Sequence, residues 1–293
     1  RAYGLTIHPN LLGAMMAALL LLTLPVIRKT RGAPRVALTG AVVVGGAGLF
    51  LSFSRAAWLG FAAGLVVWGL LAWWGQRGAR GAVAPYKGST HFRKWDAPRW
   101  DAPRWDAPGV RRAAPWVLGA ALVLVVGYAY RDLVFSRFFA LDTPTEAQSI
   151  SDRLRDSALA ITLIRDHPWT GVGLGQYVDA AQQLDDTAVR VHNAGLIVTA
   201  ELGVPGLLLW LWLMAAPFWL WLRPGGCRVR YQAALGRSLA PWVAMLVINT
   251  FDTTLWLSGN WQTAILFALL AANTVISYRS SVVSSESPVN TDN

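Results

Sequence analysis

Arg55 and His192 are the side chains best placed to do chemistry in this chain. Arg55 sits in a polar break between two long apolar runs, and His192 opens another such run with Asn193, Gly203 and Gly206 behind it. If those runs cross a membrane, both residues lie at the same face, where a cation and a titratable base can share a substrate. The ordinary imidazole pKa of about 6.5 leaves His192 mostly neutral and basic near pH 7. No Asp-x-Asp metal pair, His and Cys ligand cluster, serine nucleophile motif or Walker sequence is visible, so the chemistry must rest on cations and a base. That equipment suits displacement of a diphosphate leaving group, with guanidinium groups binding phosphate oxygens bidentately while the His accepts a proton from an incoming hydroxyl. The bland alternatives are that Arg55 snorkels to lipid headgroups and that His192 is a polar interface anchor.

Further cations lie between these two points. Residues 152–167 carry Leu154, Ala158, Ile161, Leu163 and Ile164 near helical spacing, which predicts an amphipathic helix on the membrane surface. Arg153 and Arg155 would stand near its N-terminus, where the helix dipole disfavours cations, so an anionic partner would help to hold them. Pairing with Asp152 or Asp156 is the structural alternative. Pro168 to Tyr177 then forms a turn rich in glycine (Gly171, Gly173, Gly175). It reads either as a tight turn or as a cradle of backbone amides for phosphate oxygens.

Positioning these residues requires the membrane. Hydrophobic residues make up 54% of the chain and charged ones only 14%, against nearer a quarter in soluble domains, and the mean hydropathy is +0.39. Runs long enough to cross a hydrocarbon core of roughly 30 Å fall at about 10–27, 36–53, 56–74, 113–130, 194–222, 239–257 and 261–277. The expected architecture is all-α: one integral-membrane domain over 1–293, a polytopic helix bundle of about seven spans. The chain begins at Arg1 rather than Met, so a truncated sequence that lacks N-terminal spans is one reading of it.

Eighteen of the 26 Lys and Arg fall on one side of these spans: four in 28–35, nine in 75–112, four in 223–238, and Arg279. The positive-inside rule makes that side cytoplasmic. It leaves a long extracytoplasmic loop at 131–193, slightly acidic, to carry the site. The cytoplasmic linker 75–112 contains a tandem Trp-Asp-Ala-Pro-Arg repeat at 95–108, in which a proline every five residues blocks a continuous helix. A pI near 10.5 invites a nucleic-acid reading, but the basic residues are dispersed between apolar runs without any nucleic-acid-binding signature. The lone cysteine, Cys227, forms no internal disulfide framework.

Three segments resemble the C-terminal part of the O-antigen ligase and polymerase family of bacterial membrane glycosyltransferases. They are Ser54-Arg55-Ala56-Ala57-Trp58-Leu59-Gly60, then Arg153-Leu154 followed by His167-Pro168-Trp169-Thr170-Gly171-Val172-Gly173-Leu174-Gly175, and last His192-Asn193 with nine residues before Gly203-Val204-Pro205-Gly206. The resemblance implies that Arg55 and Arg153, with Arg155 as the alternative, hold the diphosphate of an undecaprenyl-linked glycan and that His192 activates the acceptor hydroxyl. It implies support from Asn193 and the glycines, an acceptor that is a glycan, a glycolipid or a protein, and no metal or cofactor. It also implies a multi-pass protein of the bacterial inner membrane, its site facing outward, in cell-surface polysaccharide synthesis. A flippase or other transporter of lipid-linked glycans is the competing class, although transporters place binding groups nearer the bilayer midplane. A catalytically idle scaffold subunit is the third.

Overall fold

Residues 8–27, 30–81, 128, 131, 144–222, 238–256 and 261–286 are described in the computed structural model, and they hold helices and no strand. The elements are α1 (Pro9–Ile27), α2 (Ala33–Leu51), α3 (Arg55–Gly81), α4 (Pro144–Asp166), α5 (Tyr177–Gln182), α6 (Ala194–Leu222), α7 (Ala240–Phe251) and α8 (Trp261–Glu286). The all-α expectation holds. Five helices are long and apolar enough to cross a membrane: α1, α2, α3, α6 and α8. The expected span at 113–130, the pentad repeat and Cys227 lie outside the described residues.

The expected span at 239–257 needs correction. Its helix, α7, has 12 residues and ends at Phe251, with Asp252 extended (φ −154°, ψ 176°). At 1.5 Å per residue that is about 18 Å of helix, short of the roughly 30 Å of a hydrocarbon core. Side chains stop it: Asn249 Oδ1 accepts the Leu255 amide at 3.0 Å and Asp252 Oδ1 accepts the Thr253 amide at 2.7 Å. Short polar side chains here offer the backbone partners that a continuing helix would have supplied.

Small residues bring the bundle together. Added Cβ atoms would lie 2.6 Å from Ser52 Oγ at Gly13, 2.6 Å from the Ala244 carbonyl at Gly60, and 2.9 Å from the Ala240 carbonyl at Gly64. Close backbone approach through Gly and Ala is how helices pack in lipid, where apolar burial against water gives little drive. The resulting core takes Ala14, Ala17 and Leu21 of α1, Ala57 of α3, and Trp242, Met245 and Ile248 of α7. Trp242 also donates its indole N–H to Thr274 Oγ1 of α8 at 2.8 Å. Val36, Val66, Leu208 and Trp212 turn outward, as a lipid-facing surface requires.

A second core sits where the loop elements meet the first turns of α6. Ala160 and Leu163 of α4, Tyr177 and Ala181 of α5, and Ile197, Val198 and Ala200 of α6 build it. The loop helix begins at Pro144, eight residues before the expected 152. Arg153 and Arg155 therefore stand more than two turns inside it, beyond the first-turn reach of the dipole, which does not disfavour them there.

Candidate functional site

Arg55 owes its place to its neighbours. Ser54 caps α3, its hydroxyl accepting the Ala57 amide at 3.3 Å, and Arg55 is the first helical residue. The turn before it bends through Phe53 (φ 51°), and the Trp58 indole donates to the Leu49 carbonyl at 2.9 Å. Phe50 stacks on Trp58 with ring centroids 5.8 Å apart. Ala57 packs against the start of α1, where a Cβ on Gly13 would lie 2.8 Å from it. The segment Ser54–Gly60 is thus a cap, a close contact, an aromatic brace and another close contact, arranged around one half-buried arginine.

Three residues before Gly13, Asn10 donates to Asp252 Oδ2 at 2.6 Å, which ties the start of α1 to the end of α7. Asp252 in turn shares a cavity of about 310 Å³ with His192, His8 and Arg190. Arg55 and His192 therefore stand at the same end of the bundle, joined through the start of α1.

His192 directly precedes the cap of α6. Asn193 Oδ1 accepts the Leu196 amide at 3.0 Å, and its Nδ2 donates to the Thr250 carbonyl at 3.1 Å, so one side chain starts α6 and fastens it to α7. Burial pushes the imidazole pKa of His192 below its ordinary value, the Asp252 carboxylate opposes this, Arg153 and His8 add to the lowering, and Asp156 opposes it more weakly. The ring is therefore a neutral base at pH 7 that feels both the Asp252 carboxylate and the Arg153 guanidinium.

The two candidate arginines of α4 face different surroundings. Arg155 lies 3.3 Å from Asp156, 3.6 Å from Asp185 and 3.7 Å from Asp152, and donates to Thr187 Oγ1 at 3.0 Å. Thr187 also donates its hydroxyl and amide to Asp185 Oδ1 at 2.6 and 2.9 Å, which holds that carboxyl below the usual range. Arg155 thus makes the pairing with Asp152 and Asp156 foreseen as its structural alternative, and through Asp185 and Thr187 it also clasps α4 to the stretch of loop that leads into His192. Arg153 is the arginine of this pair whose charge reaches His192.

The glycine turn does a different job from cradling phosphate. The amides of Gly171, Val172 and Gly173 donate to the carbonyls of His167 (3.0 Å), Ala200 (2.8 Å) and Glu201 (3.0 Å), and the Val204 amide donates to the Pro168 carbonyl (2.8 Å). The loop is stitched into a break in α6 at Gly203 (φ 69°, ψ −172°). A Cβ on Gly171 would lie 2.3 Å from the Glu201 carbonyl, and one on Gly203 2.5 Å from the Trp169 backbone. Gly206 completes the break, where a Cβ would lie 2.2 Å from Leu202 Cβ. Gly173 and Gly175 carry positive φ of 109° and 78° within the turn.

Sequence reasoning passed over Asp252, His8 and Arg190. Asp252 was legible in principle: an acid inside an apolar run marks a functional position by default. Among the described residues no group of three or more His, Cys, Asp or Glu side chains could hold a metal ion.

No curated protein matches the chain. The sequence pattern of the O-antigen ligase family matches residues 40–211, which takes in Arg55, Arg153, the glycine turn, His192 and the break in α6. That match covers more than half of the 293 residues, so this multi-pass membrane protein belongs to the O-antigen ligase family.

Proposed function

We propose that this chain is a glycosyltransferase that moves a saccharide from undecaprenyl diphosphate to an acceptor hydroxyl on a glycan, glycolipid or protein, at the extracytoplasmic face of the inner membrane. The observation that carries the reading is the setting of His192: a half-buried base in a cavity with Asp252, within electrostatic reach of Arg153 and at the end of the bundle that holds Arg55. The excess of Lys and Arg on the other side supports the outward assignment.

In this reading the acceptor hydroxyl gives its proton to His192 as its oxygen bonds to the anomeric carbon. The bond from that carbon to the diphosphate oxygen breaks, and its electron pair stays on the diphosphate. Arg55 and Arg153 neutralise the charge that develops there, a task for which a planar guanidinium is suited. Asp252 stabilises the imidazolium that forms on His192. Arg155 takes no substrate; it fastens the loop. The sequence of events needs neither metal nor cofactor.

His192→Gln in the full-length protein tests the reading. Loss of a positioned base costs typically 10²–10⁴-fold in rate, so glycan transfer should fall by about that factor while membrane insertion stays intact. Transfer at the unaltered rate removes the base from the mechanism.

A further inference from the structure

The glycine turn presents two large apolar side chains that its docking on α6 leaves uncovered. Trp169 is 71% exposed and Leu174 is 62% exposed, although the backbone beside each is bonded to α6. No Asp, Glu, Lys or Arg occurs over 167–178, while Arg165, Asp166 and Asp179 stand at the ends of that stretch. Single exposed apolar residues are common on protein surfaces. The level at which these two stand singles them out.

That level is set by α6. Over 194–203 the helix is packed inside the protein, with Ile197, Val198, Thr199, Ala200 and Glu201 buried. Beyond Gly203 it turns outward, and Leu208, Leu209, Leu211, Trp212 and Trp219 are exposed. Residues 204–222 rise about 28 Å at 1.5 Å per residue, close to the roughly 30 Å of a hydrocarbon core. The break at Gly203 is therefore where α6 leaves the hydrocarbon. A second spanning helix gives the same level, because Glu201 meets the Trp256 indole at 2.9 Å and α8 begins soon after, at Trp261.

The turn joins α6 at this point. The Val204 amide donates to the Pro168 carbonyl at 2.8 Å, and a Cβ on Gly203 would lie 2.5 Å from the Trp169 backbone. Trp169 thus stands at the boundary between hydrocarbon and headgroups, where Trp is enriched because its ring is apolar and its N–H polar. Leu174 follows Gly173, whose amide donates to the Glu201 carbonyl at 3.0 Å, so it stands near the same level.

We propose that Trp169 and Leu174 insert into the interfacial layer of the leaflet at the His192 end of the bundle, fastening the loop to lipid as well as to α6. The partner is the lipid surface itself, met through its half-apolar depth, since the turn has no Lys or Arg for headgroup charge. Anchoring of this kind needs the membrane-spanning fold and is independent of the transferase chemistry.

Spin labels test it in the full-length protein, reconstituted in vesicles of phosphatidylethanolamine and phosphatidylglycerol. Cys227→Ser removes the one native cysteine, and Trp169→Cys or Leu174→Cys, made separately, then takes the label. Relaxation by oxygen, which concentrates among acyl chains, is compared with relaxation by a water-soluble nickel chelate. Trp212→Cys and Gln183→Cys, both at exposed positions, supply the lipid and water references. Labels at 169 and 174 should read a depth of about 5–10 Å into the headgroup and acyl boundary, between the two references. Nickel access equal to that of Gln183→Cys at either position overturns the anchor, and if one variant does not fold the other still decides. Access to neither reagent also overturns it, because a second copy of the chain would then be covering the turn.

Discussion

Gly203→Ala should release the loop from α6. The native backbone at this position (φ 69°, ψ −172°) lies in a region essentially open to glycine alone, and a Cβ would meet the Trp169 carbonyl carbon and oxygen at 2.5 Å. Those atoms are backbone and cannot swing aside. The docked state must then carry strain of about 1–3 kcal/mol plus the clash, whereas the undocked state lets the substituted position become helical and straighten α6. Undocking gives up the three bonds Val172 to Ala200, Gly173 to Glu201 and Val204 to Pro168. At about 0.5–1.5 kcal/mol net for each bond, their loss totals roughly 1.5–4.5 kcal/mol. That cost is the same for either residue, so the open fraction of the loop should rise by the strain placed on the docked state, about fivefold to a hundredfold for 1–3 kcal/mol at 1.4 kcal/mol per factor of ten. Hydrogen exchange at the amides of Val172, Gly173 and Val204, measured on vesicle-embedded protein, reads this directly. Faster exchange should appear at those amides together with loss of transfer, and helix content should stay level or rise slightly. Gly46→Ala, whose Cβ meets nothing within 4 Å, is the control and should change neither. Unaltered exchange at the three amides in Gly203→Ala would refute the latch.

The two arginines of α4 should separate cleanly. Arg153→Gln is expected to lower transfer at least a hundredfold, whereas Arg155→Gln, whose side chain is 35% exposed among its carboxylates, should cost under about tenfold and loosen the loop, read by proteolysis of 183–192. The pH dependence of kcat/KM should show an acid limb below the ordinary imidazole range, because burial lowers the His192 pKa. Removing the carboxylate that opposes that lowering, by Asp252→Asn, should move the limb to lower pH; removing a cation that adds to it, by Arg153→Gln, should move it to higher pH in whatever activity remains. Shifts in the same direction would show that His192 is not the titrating base. The neutral native ring also makes stability highest above the ordinary imidazole pKa, falling as pH drops and levelling below the lowered native value, since the unfolded chain binds the proton first. Glu201→Leu should destabilise by about 1–3 kcal/mol through the orphaned Trp256 indole, while Glu201→Gln, which keeps an acceptor, should stay within about 0.5 kcal/mol by thermal unfolding.

Much of the fold was readable because membrane helices announce themselves by unbroken apolar length, and α1, α2, α3, α6 and α8 do so. The arginine turn was equally readable, since Ser54, Ala57 and Trp58 each serve a local need within a few residues of Arg55. What could not be read depended on partners far along the chain. The glycine turn looks the same in sequence whether its amides await a phosphate or meet α6; only the carbonyls of Ala200 and Glu201, some thirty residues on, decide it. Arg153 and Arg155 could not be separated without the register of α4. Two positions apart on a helix, they point about 200° from each other, so only one of them can look toward His192 while the other meets Asp185 and Thr187.

Asp252 carries the sharper lesson about apolar runs. Counting residues toward a span treats the run 239–257 as uniform, yet Asn249 and Asp252 capture the amides of Leu255 and Thr253 and end the helix inside it. The same captures leave Asp252 extended, with its second oxygen on Asn10 and its carboxylate on the cavity of His192. Breaking the helix and placing the acid are one event. A helix carried on to 257 would have turned the next residues onto the ladder of backbone bonds and left the base without its counter-charge. Where an apolar run contains an acid flanked by side chains able to take backbone amides, the run should be expected to stop there, and the acid to face whatever base the bundle brings to that end.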